Sequence, residues 1–466
     1  MGVLTVIIWT LVGWGAFRFV APRYTEEEQR WMQYAYAMHV VFALLHVVVV
    51  KYALGGGDMF WYHRAGSELA DLWLSDPGRW TGELVKLTLR QKAVFPFWVH
   101  GAAGSTSTGA MFGLSAWIML LCGKSLYGAC VFLSVLNFFS RLLIYDVFRR
   151  TIAGHYHRYF LWALLLLPSA VFWTSGLLKE SVAMTGMGVA VWGAYLLAEK
   201  SALVRGTALI ALGGFTAYLV KPYVLFPFFI AAPIWYITAK MIRDSQGAAV
   251  LLTPIRFILF GVLTVGGLAV LAVAVPSLSV ESLGDELASV QASGTRVTGS
   301  TNYALVDEET ASRGTAGQLA MAPIAFVFAL TRPWPFEARS VQALMATVEA
   351  TTLIVLLLLS IRRIGVALWL RRVMREPWLL FCVSYVGVFG VAVGLGSTNV
   401  GSLSRYRVPM MGFYAVLIAI SYAWAYRPLL SEERGGEPPV SREMQRVRRA
   451  ASARRQPLRI KNQRLS

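Results

Sequence analysis

The chain of 466 residues is 56% hydrophobic and only 15% charged, with a mean hydropathy of +0.56. Soluble domains carry about 25% charged residues, so this composition excludes an ordinary soluble enzyme and requires much of the chain to lie in a bilayer. The formal net charge of +18 is unevenly placed: residues 427–466 hold 11 Arg or Lys against 4 Glu.

Apolar runs of about 17 to 25 residues, enough to cross roughly 30 Å of hydrocarbon, recur along the chain. The first, 2–20, has no basic leader and no small-residue cleavage site, so it reads as a retained helix rather than a signal peptide. It is followed by 32–53, 126–147, 159–174, 181–198, 206–220, 223–240, 254–275, 341–361, 378–396 and 408–426, about eleven spans in all. Two shorter apolar pieces, 110–122 and 320–331, are expected to enter the outer half of the membrane without crossing it. Positive charge marks the cytoplasmic side: Arg149, Arg150, Arg158, Lys240, Arg243, the stretch 362–375 and the C-terminal tail. One alternating path satisfies all of these, with the N-terminus outside. The expected fold is therefore an all-α polytopic membrane protein. Residues 1–426 form the membrane domain, with outer loops 55–108 and 277–319, and 427–466 form a disordered basic cytoplasmic tail. That tail lacks interleaved aromatics and directly follows a span, so it is expected to meet anionic lipid rather than nucleic acid. Cys122, Cys130 and Cys382 lie in apolar stretches without CxxC spacing, which argues against a metal site or disulfide framework.

The polar residues that remain fall mostly at the outward links. Gly55, Gly56 and Gly57 end the second helix and allow a sharp turn; Asp58 follows, then the aromatics and His63 of GGGDMFWYH. Short amphipathic helices are expected at 69–74 and 84–89, lying at the interface. The link PSAVFWTSGLLKES carries Lys179 and Glu180, with Ser175 as a candidate helix cap. Lys221 sits in the turn YLVKPY, Arg332, Glu337 and Arg339 in TRPWPFEARS, and Arg405, Tyr406 and Arg407 in SLSRYRVP. Arginine's planar fork matches two phosphate oxygens, and a carboxylate among such cations can take a proton from a hydroxyl. Inside the spans stand Arg141 and Asp146, which are expected to pair or snorkel, and Glu349, which needs a partner or a wet cavity.

Three elements, in order along 32–426, resemble the GT-C superfamily of polyprenyl-phosphate-dependent membrane glycosyltransferases and related bacterial polysaccharide polymerases. GGGDMFWYHRAG is similar to the acid that opens a long outer loop; LPSAVFWTSGLLKES looks like the second acidic element; SRYRVPM approximates a late R-Y-R-x-P segment. The resemblance implies Asp58 as catalytic acid/base and Glu180 as the second catalytic acid. His63, Lys179, Lys221, Arg332, Glu337, Arg339, Arg405, Tyr406 and Arg407 would line the substrate site. It further implies a polyprenyl-phosphate-linked sugar as donor and a location in the bacterial cytoplasmic membrane. The extra first helix, the tail and the lack of a large outer soluble domain depart from the family pattern and leave the acceptor open.

No cofactor is demanded. Asp58 and Glu180 could share Mg²⁺ or Mn²⁺, since hard cations take carboxylate oxygens. Two other classes fit the same composition: a flippase or transporter of lipid-linked saccharides, which needs charges along the midplane, and a non-catalytic scaffold recruiting partners through its tail. No internal repeat supports the transporter.

Overall fold

The computed structural model describes residues 2–53, 55–99, 106–152, 156–244, 320–338, 341–397 and 399–426. The expected span 254–275, the loop 277–319, Arg339 and the tail lie outside the described residues. The helices are α1 (Gly2–Val20), α2 (Glu26–Tyr52), α3 (Asp58–Ser75), α4 (Pro77–Thr88), α5 (Ser107–Leu121) and α6 (Leu126–Thr151). They continue with α7 (His157–Leu165), α8 (Pro168–Trp173), α9 (Lys179–Lys200), α10 (Leu203–Val220) and α11 (Leu225–Asp244). After the undescribed segment come α12 (Ala322–Thr331), α13 (Val341–Ile364), α14 (Val366–Arg375), α15 (Pro377–Gly396), α16 (Val400–Tyr406) and α17 (Val408–Tyr426).

Among the described residues, nine helical stretches are long and apolar enough to cross a membrane, and each matches an expected span. The two short pieces, α5 and α12, are helices too brief to be counted with them. The bundle is built around α6, which packs on α1, α2, α7 and α9, and around α17, which packs on α7, α13 and α15.

Small residues let the backbones approach closely, as membrane helices require in the absence of a hydrophobic drive between them. The α9–α10 hairpin is the clearest case. A Cβ on Gly193 would lie 2.7 Å from the Gly206 carbonyl oxygen, and one on Gly213 would lie 2.5 Å from the Ala190 nitrogen.

The expected single span 159–174 is instead two helices. Leu167 adopts an extended conformation before Pro168, because the proline ring disfavours the helical region for the residue that precedes it. Such a break inside a bundle frees backbone groups that must be satisfied internally. Arg141 supplies the donors: Nη1 to the Leu164 carbonyl at 3.0 Å, and Nη2 to the Ala170 carbonyl at 2.8 Å and the Thr174 hydroxyl at 3.1 Å. Glu349 supplies the acceptors, taking the Ser169 N–H at 2.9 Å on Oε2 and the Ser169 hydroxyl on Oε1. Arg141 and Glu349 thus both serve the helix break. Arg141 does not pair with Asp146, whose partner is Arg150 at 3.3 Å.

The short amphipathic helices expected at 69–74 and 84–89 are present as parts of the longer α3 and α4, with α3 packed along α5. At the end of the bundle opposite Asp58, buried Glu28 closes a capping box with Thr25. It also accepts from Tyr145 at 2.5 Å and Arg149 at 2.8 Å, tying α2 to α6.

Replacing Gly213 with valine forces the α9–α10 backbones apart, at an expected cost of about 1–3 kcal/mol from overpacking. Gly15→Ala, with open space around the added carbon, should be neutral. Thermal unfolding in detergent checks the contrast.

Candidate functional site

Four segments bring their polar residues to one point at one end of the bundle. Asp58 is the first residue of α3, delivered by three glycines with φ of +67°, +120° and +147°. These values suit residues without a Cβ, and the turn sets Asp58 at the head of the helix with Gly57 as its cap. Glu180 is the second residue of α9, where the positive end of the helix favours a carboxylate. The helix begins after Leu178 with no side-chain cap; Ser175 does not cap it but donates to the Phe172 carbonyl at 2.7 Å. Lys221 follows the last turn of α10. Arg405 belongs to α16, a short helix capped by Asn399, whose Oδ1 accepts from the Ser402 N–H at 2.7 Å.

Arg405 joins the two acids. Its Nη1 lies 2.8 Å from Asp58 Oδ2, its Nε 2.5 Å from Glu180 Oε1 and its Nη2 3.0 Å from Glu180 Oε2. Lys221 Nζ reaches Glu180 Oε1 at 2.7 Å and sits 4.9 Å from the Tyr406 ring and 5.4 Å from the Tyr223 ring. Cations over aromatic faces are held by the ring quadrupole, so Lys221 is fixed from both sides. The Glu180 side chain is fully buried, whereas that of Asp58 is 45% exposed. Burial works against the Arg405 charge, but the Glu180 and Asp58 carboxylates outweigh it and hold the guanidinium well above its ordinary value. The nearby Tyr62 phenol is raised by burial and by Asp58, which keeps it neutral.

Lys179 completes the group. Its Nζ donates to the Ser107 and Thr108 hydroxyls at 3.1 and 2.8 Å, and among the described residues it makes no ion pair. It lies within electrostatic reach of Asp58, Arg405 and Lys221. Three cations against two carboxylates leave the cluster one positive charge in excess, with Lys179 the member held only by neutral partners.

The other expected residues lie elsewhere. His63 turns to the Lys124 carbonyl at 3.0 Å. Arg332 pairs with Glu337 at 3.1 Å and lies over the Phe328 and Trp334 rings at 4.1 and 5.0 Å. Arg407, fully buried, donates to the Arg332 carbonyl at 2.5 Å and the Ala346 carbonyl at 3.3 Å. It is a strut that ties the TRPWPFE loop and α13 to the charged cluster. Arg339 is outside the described residues. The residues that sequence reasoning missed are Tyr62, Tyr223, Ser107 and Thr108. Only Tyr62 carried a signal, since it stands one helical turn after Asp58 and so shares its face.

Among the described residues no group of three or more His, Cys, Asp or Glu side chains is arranged to hold a metal ion. The guanidinium of Arg405 stands between Asp58 and Glu180, so a divalent cation bridging them would have to displace it. Compared with known protein families, curated proteins and solved structures, the chain matches none.

Removing one partner of a buried ion pair strands the other, at a cost of about 3–5 kcal/mol. Arg405→Gln should therefore lower the unfolding midpoint strongly. Arg64→Gln, at an exposed pair with Glu68, should leave it unchanged, as surface pairs contribute little. Unfolding of the two purified variants in one detergent tests this.

Proposed function

We propose that the protein is a membrane glycosyltransferase or saccharide polymerase that takes sugar from a polyprenyl-phosphate-linked donor at the outer face of a bacterial cytoplasmic membrane. The observation that carries this reading is the meeting of Asp58 and Glu180 on one guanidinium, with Lys179 beside them. An enzyme that holds a phosphate and deprotonates a hydroxyl needs cations and a carboxylate within one small volume.

The two acids then take different roles. Both oxygens of Glu180 are occupied by Arg405 and Lys221, so Glu180 is a positioning residue that fixes the cations. Asp58 is bound through one oxygen and stays partly open, which suits the base. A donor phosphate approaching Lys179 competes with Asp58 for Arg405 and frees the carboxylate. The acceptor hydroxyl oxygen then bonds to the anomeric carbon as the bond from that carbon to the phosphate oxygen breaks. The proton passes to Asp58, and the polyprenyl phosphate leaves with its charge held by Lys179 and Arg405. Stabilising that charge with fixed cations is the main source of rate expected in such a site. In this reading Arg332, Glu337 and Arg407 support the segment that carries Arg405 rather than touch the donor.

One observation weighs against a transporter. Among the described residues, Arg141 and Glu349 are charges inside the spans that such a path could use, and both are engaged by backbone and hydroxyl groups at the α7–α8 break.

Asp58→Asn should fold normally and lose at least about a hundredfold in transfer rate, the usual scale for a lost general base. The assay follows radiolabelled hexose from a panel of polyprenyl-phosphate donors in proteoliposomes. Full transfer by Asp58→Asn, or translocation of the donor without transfer, would overturn the proposal.

A further inference from the structure

Far from the charged cluster, α13 ends at Ile364 and the chain turns through Gly365, whose φ of +87° suits glycine, into the ten-residue α14. Its sequence VALWLRRVMR places Val366, Trp369, Leu370, Val373 and Met374 at helical spacing. The protein covers only the later part of that face. Val373 and Met374 are buried, and the Trp369 indole N–H donates to the Ser421 hydroxyl of α17 at 2.8 Å. Val366 and Leu370, on that same face, are left 67% and 40% exposed.

Arginines gather around these exposed apolar residues. Between positions 362 and 376 the sequence holds Arg362, Arg363, Arg371, Arg372 and Arg375 against the single acid Glu376. Two of them are set on aromatic platforms at the end of α17: Arg363 lies 4.7 Å from the Tyr426 ring and Arg372 5.7 Å from the Trp424 ring. Among the described residues Arg362, Arg371 and Arg375 form no ion pair. The sequence after residue 426 is itself basic, with 11 Arg or Lys against 4 Glu, so it does not supply the negative charge that this surface calls for.

We propose that α14 is an interfacial helix that binds the headgroups of anionic phospholipids. Its exposed apolar residues enter the acyl boundary, and Arg362, Arg371 and Arg375 meet the lipid phosphates. Three features choose this occupant. The helix joins two membrane-crossing helices, α13 and α15, at the bundle end opposite Asp58. It is amphipathic, with Val366 and Leu370 on one side and Arg371 and Arg375 turned away from them around the helix, as interfacial helices are. Its charge is complementary to an anionic leaflet, where each basic residue near the surface adds to binding. The inference is independent of the proposed transfer reaction.

The test uses the full chain in neutral detergent micelles titrated with phosphatidylglycerol or phosphatidylcholine, with lipid retention read by native mass spectrometry. The wild type should prefer phosphatidylglycerol. Arg362→Gln/Arg371→Gln/Arg375→Gln should weaken that binding on the order of a hundredfold, the combined worth of three interfacial arginines. The tail variant Arg454→Gln/Arg455→Gln/Arg459→Gln should weaken it less than the α14 variant does. Unchanged binding in the α14 variant, loss only in the tail variant, or equal competition by inorganic phosphate would each overturn the proposal. A second measurement does not depend on the triple variant folding. A bimane label at Leu370→Cys in phosphatidylglycerol liposomes should be quenched by nitroxide lipids; quenching by aqueous Ni²⁺ chelate instead would place the helix in water and contradict the proposal.

Discussion

The Arg405 guanidinium, shared between Asp58 and Glu180, is the interaction on which the polar end of the bundle depends. Two carboxylates brought together at a helix-bundle end repel each other, and one of them, Glu180, is fully buried. Burial of an ionised acid is tolerable only when it is paired and hydrogen-bonded. Arg405 meets that condition with a bidentate grip on Glu180 while its remaining arm takes Asp58. Lys221 adds a second cation from α10. The contacts join α3, α9, α10 and α16, so the site is also a clamp holding four segments in register.

The same physics governs the membrane interior, with a different outcome. Among the described residues Arg141 and Glu349 have no opposite charge as their direct partner; each bonds to the broken segment between α7 and α8. That break lies just before the link carrying Lys179 and Glu180. A straight helix over 157–173 would direct the link elsewhere, so these charges contribute to the site by shaping the approach to it. Arg407 acts likewise from the other side, holding the Arg332 loop and α13 against the start of α17.

Much of this was legible in the sequence, for reasons that differ by element. The spans are visible because apolar runs of membrane length have few other uses. Asp58, Glu180, Lys221 and Arg405 stand out as charges at helix ends. Their pairing does not, since the Arg405–Asp58 contact joins residues 347 positions apart. The break at Leu167 was hidden inside a continuous apolar run; Pro168 was its single sign. Arg405 and Arg407 looked equivalent, yet residues two apart on a helical turn point to different sides. One therefore meets the acids and the other the backbone. His63 was grouped with Asp58 by proximity in sequence, although five positions along α3 carry it to another face, beside the Lys124 carbonyl.

The coupling between Glu180 and Arg405 tests most directly whether one guanidinium organises this end of the molecule. A double-mutant cycle with Glu180→Gln, Arg405→Gln and the pair, read by reversible unfolding in mixed micelles, isolates it. The shared ion pair predicts an interaction energy of about 2–3 kcal/mol, with the double variant less damaged than the two single losses added together. Additivity within about 0.5 kcal/mol, the behaviour of distant and independent sites, would contradict it.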